Sequence, residues 1–182
     1  SKLSQANISQ HLSIMKSKNG TFSQKIYVVD FGGQTAHLIT RRLKDLGVDS
    51  SLIDPDDAVS VCLGKKPFGS AQGKPAGIIF SGGPASVYEK LAPSIDKQIF
   101  KLNIPILGIC YGWQLMAYLL GGKVEAGTKE YGPTKLNISS FKSLFYGLPE
   151  NSKVIESHGD SVVKMPPGFE ILANTETVKL AG

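Results

Sequence analysis

The sequence predicts an α/β fold with a mostly parallel central sheet flanked by helices, and with antiparallel strands in the C-terminal half. Two patterns indicate this fold. Between residues 25 and 122, short apolar runs end in glycine-rich turns and alternate with segments of helical apolar spacing, which is typical of strand–helix units with a parallel sheet. From residue 123 onwards the helical spacing is lost and short strand-like stretches follow one another, which favours antiparallel pairing.

Length and composition are those of one ordinary globular domain. The 182 residues carry a formal net charge of +5, with 41% hydrophobic and 19% charged residues. The lysines are scattered, which disfavours a nucleic-acid partner. No apolar stretch approaches the roughly 20 residues of a membrane span, and two cysteines are too few for a disulfide framework. We therefore expect a cytoplasmic protein without membrane contact.

The elements follow from the chain in order. Residues 1–24 are polar and predict an N-terminal arm, either a short surface helix or disordered, so that residues 25–182 form the domain. In the first half we expect a strand from Lys25 into the Gly32-Gly33 turn, a helix from Thr35 to Leu46, a strand from Val48 to Asp54, a loop from Val59 to Lys74, a strand from Pro75 to Phe80, and a helix from Ser94 to Leu102.

The C-terminal half has a weaker pattern. Its turn residues and alternating stretches predict a turn at Glu130–Pro133, an edge strand at Thr134–Ile138, a strand, polar turn and strand over Lys153–Val163, and a strand at Phe169–Asn174.

One stretch, from Ile104 to Gly122, carries the strongest chemical signal. A short apolar run is followed by Gly108-x-Cys110-x-Gly112 and then by a helix predicted at Gln114–Leu120. A nucleophile between two glycines at a strand-to-helix turn is the elbow arrangement of Gly-x-Ser-x-Gly enzymes. The helix macrodipole favours a thiolate at that position, so Cys110 is the candidate nucleophile. The alternative is that Cys110 is a buried structural cysteine, as we expect for Cys62.

Two further groups would complete such a site. The Gly82-Gly83 turn after the third strand suits a backbone oxyanion donor, although it also fits a plain tight turn. His158 and Asp160 stand two residues apart, which places them on one face of a strand. They could complete a triad with Cys110, or they could belong to a polar turn that hydrogen-bonds its own backbone.

Four motifs, in this order, resemble those of the class I glutamine amidotransferases, and most closely the branch that forms the glutaminase domain of GMP synthases. The resemblance extends from Lys25 to Gly182, and Tyr111 together with the Ser-His-Gly-Asp run indicates the branch. The motifs are Val29-Asp30-Phe31-Gly32-Gly33-Gln34, Phe80-Ser81-Gly82-Gly83-Pro84, Gly108-Ile109-Cys110-Tyr111-Gly112-Trp113-Gln114 and Ser157-His158-Gly159-Asp160.

The resemblance implies a class I glutaminase-like fold and a reaction. Cys110 would attack the side-chain amide of glutamine, form a thioester and release ammonia, and water would then free glutamate. The oxyanion hole would consist of Gly82 or Gly83 and the Tyr111 N–H. The residues that would bind glutamine or a partner domain are Gln114 and the turn Ser157, His158, Gly159 and Asp160.

The resemblance also implies a partner. Ammonia would pass to an ATP-pyrophosphatase domain, fused or separate, which converts xanthosine monophosphate (XMP) to GMP and uses ATP and magnesium. No cofactor and no metal are implied for the glutaminase domain itself.

One departure concerns the base. The family carries a His-Pro-Glu run on a later strand, and no histidine follows His158 in this sequence. We therefore expect a chain truncated at the C-terminus and inactive alone, unless His158 has been recruited as the base. Two other classes stay open: a different cysteine-nucleophile enzyme, such as a peptidase or deglycase-like protein that uses His158 and Asp160, and a non-catalytic module.

Overall fold

The computed structural model describes residues 25–65, 74–141, 143–149 and 152–176, with backbone alone at 128–131, 143 and 156–158. The predicted arm at residues 1–24 lies outside this part of the chain, as do residues 66–73 of the loop predicted between the second and third strands.

Four parallel strands form the central sheet: β1 (Ile26–Val29), β2 (Ser50–Ile53), β3 (Gly77–Phe80) and β4 (Ile106–Gly108). Their order is β2-β1-β3-β4, and all neighbouring pairs are parallel. Since the strands run in one direction, their carboxyl ends lie at the same edge of the sheet, which is where open α/β sheets bind ligands. The predicted parallel sheet is confirmed.

Helices cover both faces of this sheet, as parallel sheets require. Helix α1 (Thr35–Asp45) lies on one face, where Ala36 packs with Val28 and Ile79. Helix α3 (Tyr111–Leu119) lies on the other, where its apolar residues join Phe80 in the largest buried cluster. Each large apolar side chain buried in this way stabilises the fold by about 1.5–3 kcal/mol.

The C-terminal half pairs antiparallel strands, as predicted. Strand β5 (Lys123–Lys135) pairs with β7 (Lys153–Lys164), and β6 (Asn137–Ile138) pairs with β8 (Ala173–Asn174). The turns expected at 130–133 and at 157–160 are wrong, because both stretches lie inside the long β5–β7 ladder. Cross-strand hydrogen bonding overrides the local turn preference of their glycines, and a register shift between Ala126 and Glu130 accommodates the irregularity as a bulge.

Three helices, including that of the elbow, differ from the sequence expectation. The loop predicted from Val59 begins instead as a short helix α2 (Ala58–Cys62), because its small apolar residues pack into the core. The expected helix at 94–102 is only a 3₁₀ helix (Lys97–Lys101), since it is confined between the capping side chain of Asp96 and the left-handed Asn103.

The helix of the elbow begins at Tyr111, three residues earlier than predicted. The strand expected at 169–174 is limited to Ala173–Asn174. Within the described residues, no helix has the length and apolar character needed to cross a membrane.

Candidate active site

Cys110 lies between the end of β4 and the first residue of α3, at the carboxyl edge of the sheet. Its backbone has φ 51° and ψ −115°, a region that non-glycine residues occupy at a cost of about 1–3 kcal/mol. Hydrogen bonds on both sides hold this conformation: Ile109 N–H donates to Phe80 O (3.0 Å) and Gly112 N–H donates to Ser81 O (3.0 Å). The half-buried thiol therefore sits at a strained strand-to-helix turn, as the elbow prediction requires.

The two flanking glycines are required by close approach of the backbone. A Cβ on Gly108 would lie 2.7 Å from Trp113 Cα, and a Cβ on Gly112 would lie 2.5 Å from Phe80 Cβ and closer still to the Phe80 carbonyl oxygen. Real Cβ atoms do not tolerate such distances from backbone atoms. The Gly-x-Cys-x-Gly spacing thus allows α3 to pack directly on β3 and β4.

The Gly82-Gly83 turn lies against the candidate nucleophile. A Cβ on Gly82 would lie 3.6 Å from the Cys110 Cβ, and one on Gly83 would lie 2.6 Å from Phe31 O. Ser81 is fully buried and fixes the turn, since its hydroxyl accepts from Phe31 N–H (3.2 Å) and donates to Gly82 O (3.0 Å). Gly82 therefore lies beside Cys110, while the assignment of Gly82 or Gly83 as an oxyanion donor stays a prediction.

Tyr111 contributes both its backbone and its side chain to the elbow. As the first residue of α3 it has an N–H without a partner inside the helix, as an oxyanion donor needs. Its buried ring packs against Phe31, with centroids 5.4 Å apart, and its hydroxyl donates to Pro93 O. Burial, and then the charge of Glu89, raise the pKa of Tyr111 to about 12, so the phenol stays neutral and keeps this hydrogen bond.

Gln114 and Asp160, both predicted to bind substrate, contact each other. Gln114 is 6% exposed, its N–H donates to Cys110 O (3.0 Å), and its Nε2 donates to Asp160 O (2.9 Å). Gln114 therefore joins the elbow helix to β7.

The other predicted substrate-binding residues are described by their backbone positions in β7. Ser157 pairs with Tyr131 and His158 pairs with Glu130, in a strand rather than in the predicted turn. Gly159 lies next to Asp160, and a Cβ there would contact nothing within 4 Å. The side chains of Ser157 and His158 lie outside the described part of the structure, so the triad of Cys110, His158 and Asp160 stays a hypothesis.

Tyr88 was missed by the sequence analysis. Its hydroxyl donates to Asp160 Oδ1 (3.0 Å), so a residue from the segment after β3 contacts β7 across 72 positions of sequence. A single tyrosine in a segment without helical or strand pattern carries no signal for such a contact.

A cavity was also missed. It measures about 190 Å³ and lies at the carboxyl ends of β1 and β2, away from Cys110. An acidic residue directly after each of these strands was the signal that could have indicated it. The residues that line the cavity are Asp30, Leu52, Ile53, Asp54, Asp57 and Val61.

Among the described residues, no group of three or more histidine, cysteine or carboxylate side chains could hold a metal ion.

The sequence of residues 27–182 matches the family model of glutamine amidotransferase class-I. The chain belongs to the class I glutamine amidotransferases. Among solved structures, it is similar to a Thermoplasma acidophilum protein provisionally named as a subunit of GMP synthase, with TM-score 0.70 and 32% identity over 90% of this chain and 77% of the other. A glutamine amidotransferase from Thermotoga maritima, 21% identical with TM-score 0.61 over 85% of this chain and 68% of that one, shows the same fold.

Amidotransferases of closer sequence are much longer than this chain. A GMP synthase [glutamine-hydrolyzing] from Caldicellulosiruptor saccharolyticus is 47% identical over 157 residues, which cover 86% of this chain and 29% of that protein. One of the same name from Lactobacillus acidophilus is 48% identical over 166 residues, covering 90% of this chain and 31% of the other. The chain thus spans about three tenths of the length of these relatives.

Proposed function

We propose that this chain is the glutamine-hydrolysing domain of a GMP synthase, and that Cys110 releases the ammonia used to aminate XMP. The observation that carries the proposal is the strained turn at Cys110, which lies beside Gly82: a Cβ on that glycine would be in van der Waals contact with the Cys110 Cβ, at 3.6 Å. Membership of the class I amidotransferases supports glutamine as the substrate. The two relatives named GMP synthase support the synthase branch.

The chemistry follows from the elbow. The Cys110 thiolate adds to the amide carbon of glutamine, and the carbonyl π electrons become an oxyanion. Amide N–H groups of Gly82 or Gly83 and of Tyr111 stabilise that charge, which is the largest usual contribution to such reactions. The amide nitrogen takes a proton and leaves as ammonia, so that a thioester remains, and water then adds to the thioester, giving glutamate and the regenerated thiol.

Binding of glutamine is proposed to involve the strand opposite the elbow. The Asp160 carboxylate is an acceptor suited to the α-ammonium of an amino acid. Gln114 acts on the substrate through Asp160, because its Nε2 is already bonded to the Asp160 carbonyl. Ser157, His158 and Gly159 precede Asp160 in the same strand, and we propose them as further substrate contacts.

The partner is proposed from the relatives' names. We expect an ATP-pyrophosphatase domain, fused or separate, that binds ATP and magnesium and consumes the ammonia. We also propose that the chain acts in GMP and purine biosynthesis in the cytoplasm. The base would be a histidine of a His-Pro-Glu run, as in the family, so these 182 residues alone would turn over glutamine slowly.

The proposal is tested by covalent labelling. 6-Diazo-5-oxo-L-norleucine, an amino acid with an electrophilic carbon in place of the amide, is expected to modify Cys110, and glutamine should protect against it. Peptide mapping by mass spectrometry identifies the modified residue. Cys110→Ala should abolish labelling, while Cys62→Ala, the matched control, should not.

Two results would contradict the proposal. Labelling that glutamine does not slow would remove glutamine as the substrate. Hydrolysis of peptides, or conversion of aldehyde substrates, that is lost in Cys110→Ala would instead favour another cysteine-nucleophile enzyme.

A further inference from the structure

We propose that Tyr88 is a positioning residue of the glutamine site, whose hydroxyl holds the Asp160 carboxylate in place for the substrate's α-ammonium group. The inference rests on the proposed function, since it requires an amino acid as the ligand. It assigns a role to a residue outside all four motifs that carry the family resemblance.

Two donors from distant parts of the chain fix Asp160. Tyr88 Oη donates to the side-chain oxygen Oδ1 at 3.0 Å, and Gln114 Nε2 donates to the backbone oxygen at 2.9 Å. The backbone of Asp160 is further held by the β5–β7 ladder, where it pairs with Ala126. The side chain of Asp160 therefore depends on Tyr88 in a way that its backbone does not.

The contact belongs to the elbow rather than to a remote surface. Gln114 is one helical turn after Cys110 and donates its N–H to Cys110 O at 3.0 Å, so two hydrogen bonds connect Cys110 to Asp160. Tyr88 follows the Gly82-Gly83 turn by five residues in the sequence. Gln114 thus connects the proposed nucleophile to the proposed ammonium acceptor. Tyr88 connects that acceptor to the segment that follows the proposed oxyanion turn.

The hydroxyl has a physical role that the ring does not. The terminal torsion of an aspartate is broad and nearly two-fold, so an unheld carboxylate would have to be ordered when the ligand binds. A hydroxyl bonded to Oδ1 orders it beforehand and leaves Oδ2 for the ammonium, which lowers the entropic cost of binding. Because Tyr88 is 47% exposed, we expect a modest effect and a Tyr88→Phe variant that folds normally.

The test measures glutamine binding through protection of Cys110 from iodoacetamide, using three proteins. Tyr88→Phe is expected to weaken protection by glutamine about threefold to tenfold, which is the range for losing an ordinary hydrogen bond and suits a pair that is exposed to solvent. Protection by glutaric acid monoamide, which lacks the α-ammonium, should be unchanged. Tyr118→Phe is the matched control, since Tyr118 is 48% exposed and lies in α3; it should behave as the wild type.

The alkylation rate without ligand separates positioning from a general structural effect. It should be equal in wild type and Tyr88→Phe, because the hydroxyl donates its hydrogen bond to Asp160 and not to Cys110. In an Asp160→Asn background, Tyr88→Phe should add no further loss, since the two residues act as one unit.

Three results would overturn the inference. Unchanged protection by glutamine in Tyr88→Phe would show that the hydrogen bond does not position the carboxylate. Equal weakening for glutamine and for the monoamide would show that Tyr88 acts only on the general shape of the site. Absence of glutamine protection in the wild type would overturn the proposed function itself. This failure differs from the other two because the unsubstituted protein already shows it.

Discussion

The two cysteines lie at opposite ends of short helices and have opposite surroundings. Cys62 is the last residue of α2 and is 3% exposed within the main core cluster. Cys110 precedes the first residue of α3, is half-buried, and has a positive φ. Burial raises the pKa of the Cys62 thiol to about 11, so that this sulfur stays neutral and unreactive at physiological pH.

The comparison shows that position in the fold, rather than the residue type, decides which thiol is chemically useful. A thiolate is favoured at a helix N-terminus and disfavoured in an apolar core or at a helix C-terminus. Cys110 lies at a helix N-terminus, in a strained turn and next to backbone amides. Cys62 lies at the end of α2 and is surrounded only by packed core residues. Each prediction below changes one side of this contrast.

The largest effect is expected from Gly112→Ala. Alanine normally stabilises a helix relative to glycine by about 1 kcal/mol, but here the new Cβ would overlap the backbone of Phe80. Overpacking against backbone costs about 1–3 kcal/mol or more, so the urea midpoint should fall and labelling of Cys110 by the glutamine-like electrophile should drop strongly.

Gly77→Ala is the matched control for this substitution. Its Cβ would meet only Pro105 O, at 3.6 Å, and replacing a glycine in a strand by alanine usually stabilises by roughly 0.5–1 kcal/mol. The two variants should therefore shift the urea midpoint in opposite directions. A Gly112→Ala protein as stable and as reactive as the wild type would show that the elbow does not need its glycine.

A smaller effect concerns alkaline stability. The folded-state pKa of Cys62 is raised to about 11 from an ordinary value of 9.0, so the neutral thiol favours the folded state. This contribution is fully present below pH 9 and is lost as pH rises from 9 to 11, because the unfolded chain ionises first. Urea unfolding under reducing conditions should therefore show a smaller loss of the free energy of unfolding over this pH range in Cys62→Ala than in the wild type.

Some alkaline loss should remain in Cys62→Ala, because burial also raises the pKa values of Tyr27 and Tyr111. Cys110→Ala serves as the comparison and should keep the full pH dependence of the wild type. If stability depended on pH in the same way in both variants, the account of Cys62 as a buried thiol with a raised pKa would be wrong.

The smallest effect is expected from His158→Ala. We expect His158 to contact substrate and not to act as the base, so the substitution should change the concentration of electrophile needed for half-maximal labelling and leave the saturating rate unchanged. Loss of a true base typically lowers the rate by several orders of magnitude. Steady glutamine hydrolysis by the wild-type chain that collapses in His158→Ala would show that His158 has been recruited.

The sequence predicts well what is encoded locally. The parallel strands, the helix after the first glycine turn and the elbow around Cys110 each have their signal within about 15 residues, as buried runs, helical spacing and paired glycines. The membership of the family likewise follows from four short motifs. The start of α3 at Tyr111 was missed because the glycine at 112 looks like a turn residue, although here it allows a helix to approach β3.

The sequence predicts poorly what depends on distant pairing. Residues 130–133 and 157–160 have turn-like composition, and only the pairing of β5 with β7 makes them strands. The contact of Tyr88 with Asp160 joins segments 72 residues apart, and no spacing rule reaches that far. The hydrogen bond of Gln114 to Asp160 could not be predicted for the same reason, since a partner in β7 cannot be inferred from the sequence of the helix.

The most direct test compares the two thiols of the folded protein under iodoacetamide between about pH 6 and pH 9, a range that brackets the ordinary cysteine pKa, with each cysteine followed by peptide mapping. We predict that Cys110 is modified throughout this range and that glutamine slows its modification, while Cys62 stays unmodified until the protein is unfolded. Modification of Cys62 as fast as that of Cys110, or a Cys110 that reacts only after unfolding, would contradict the account.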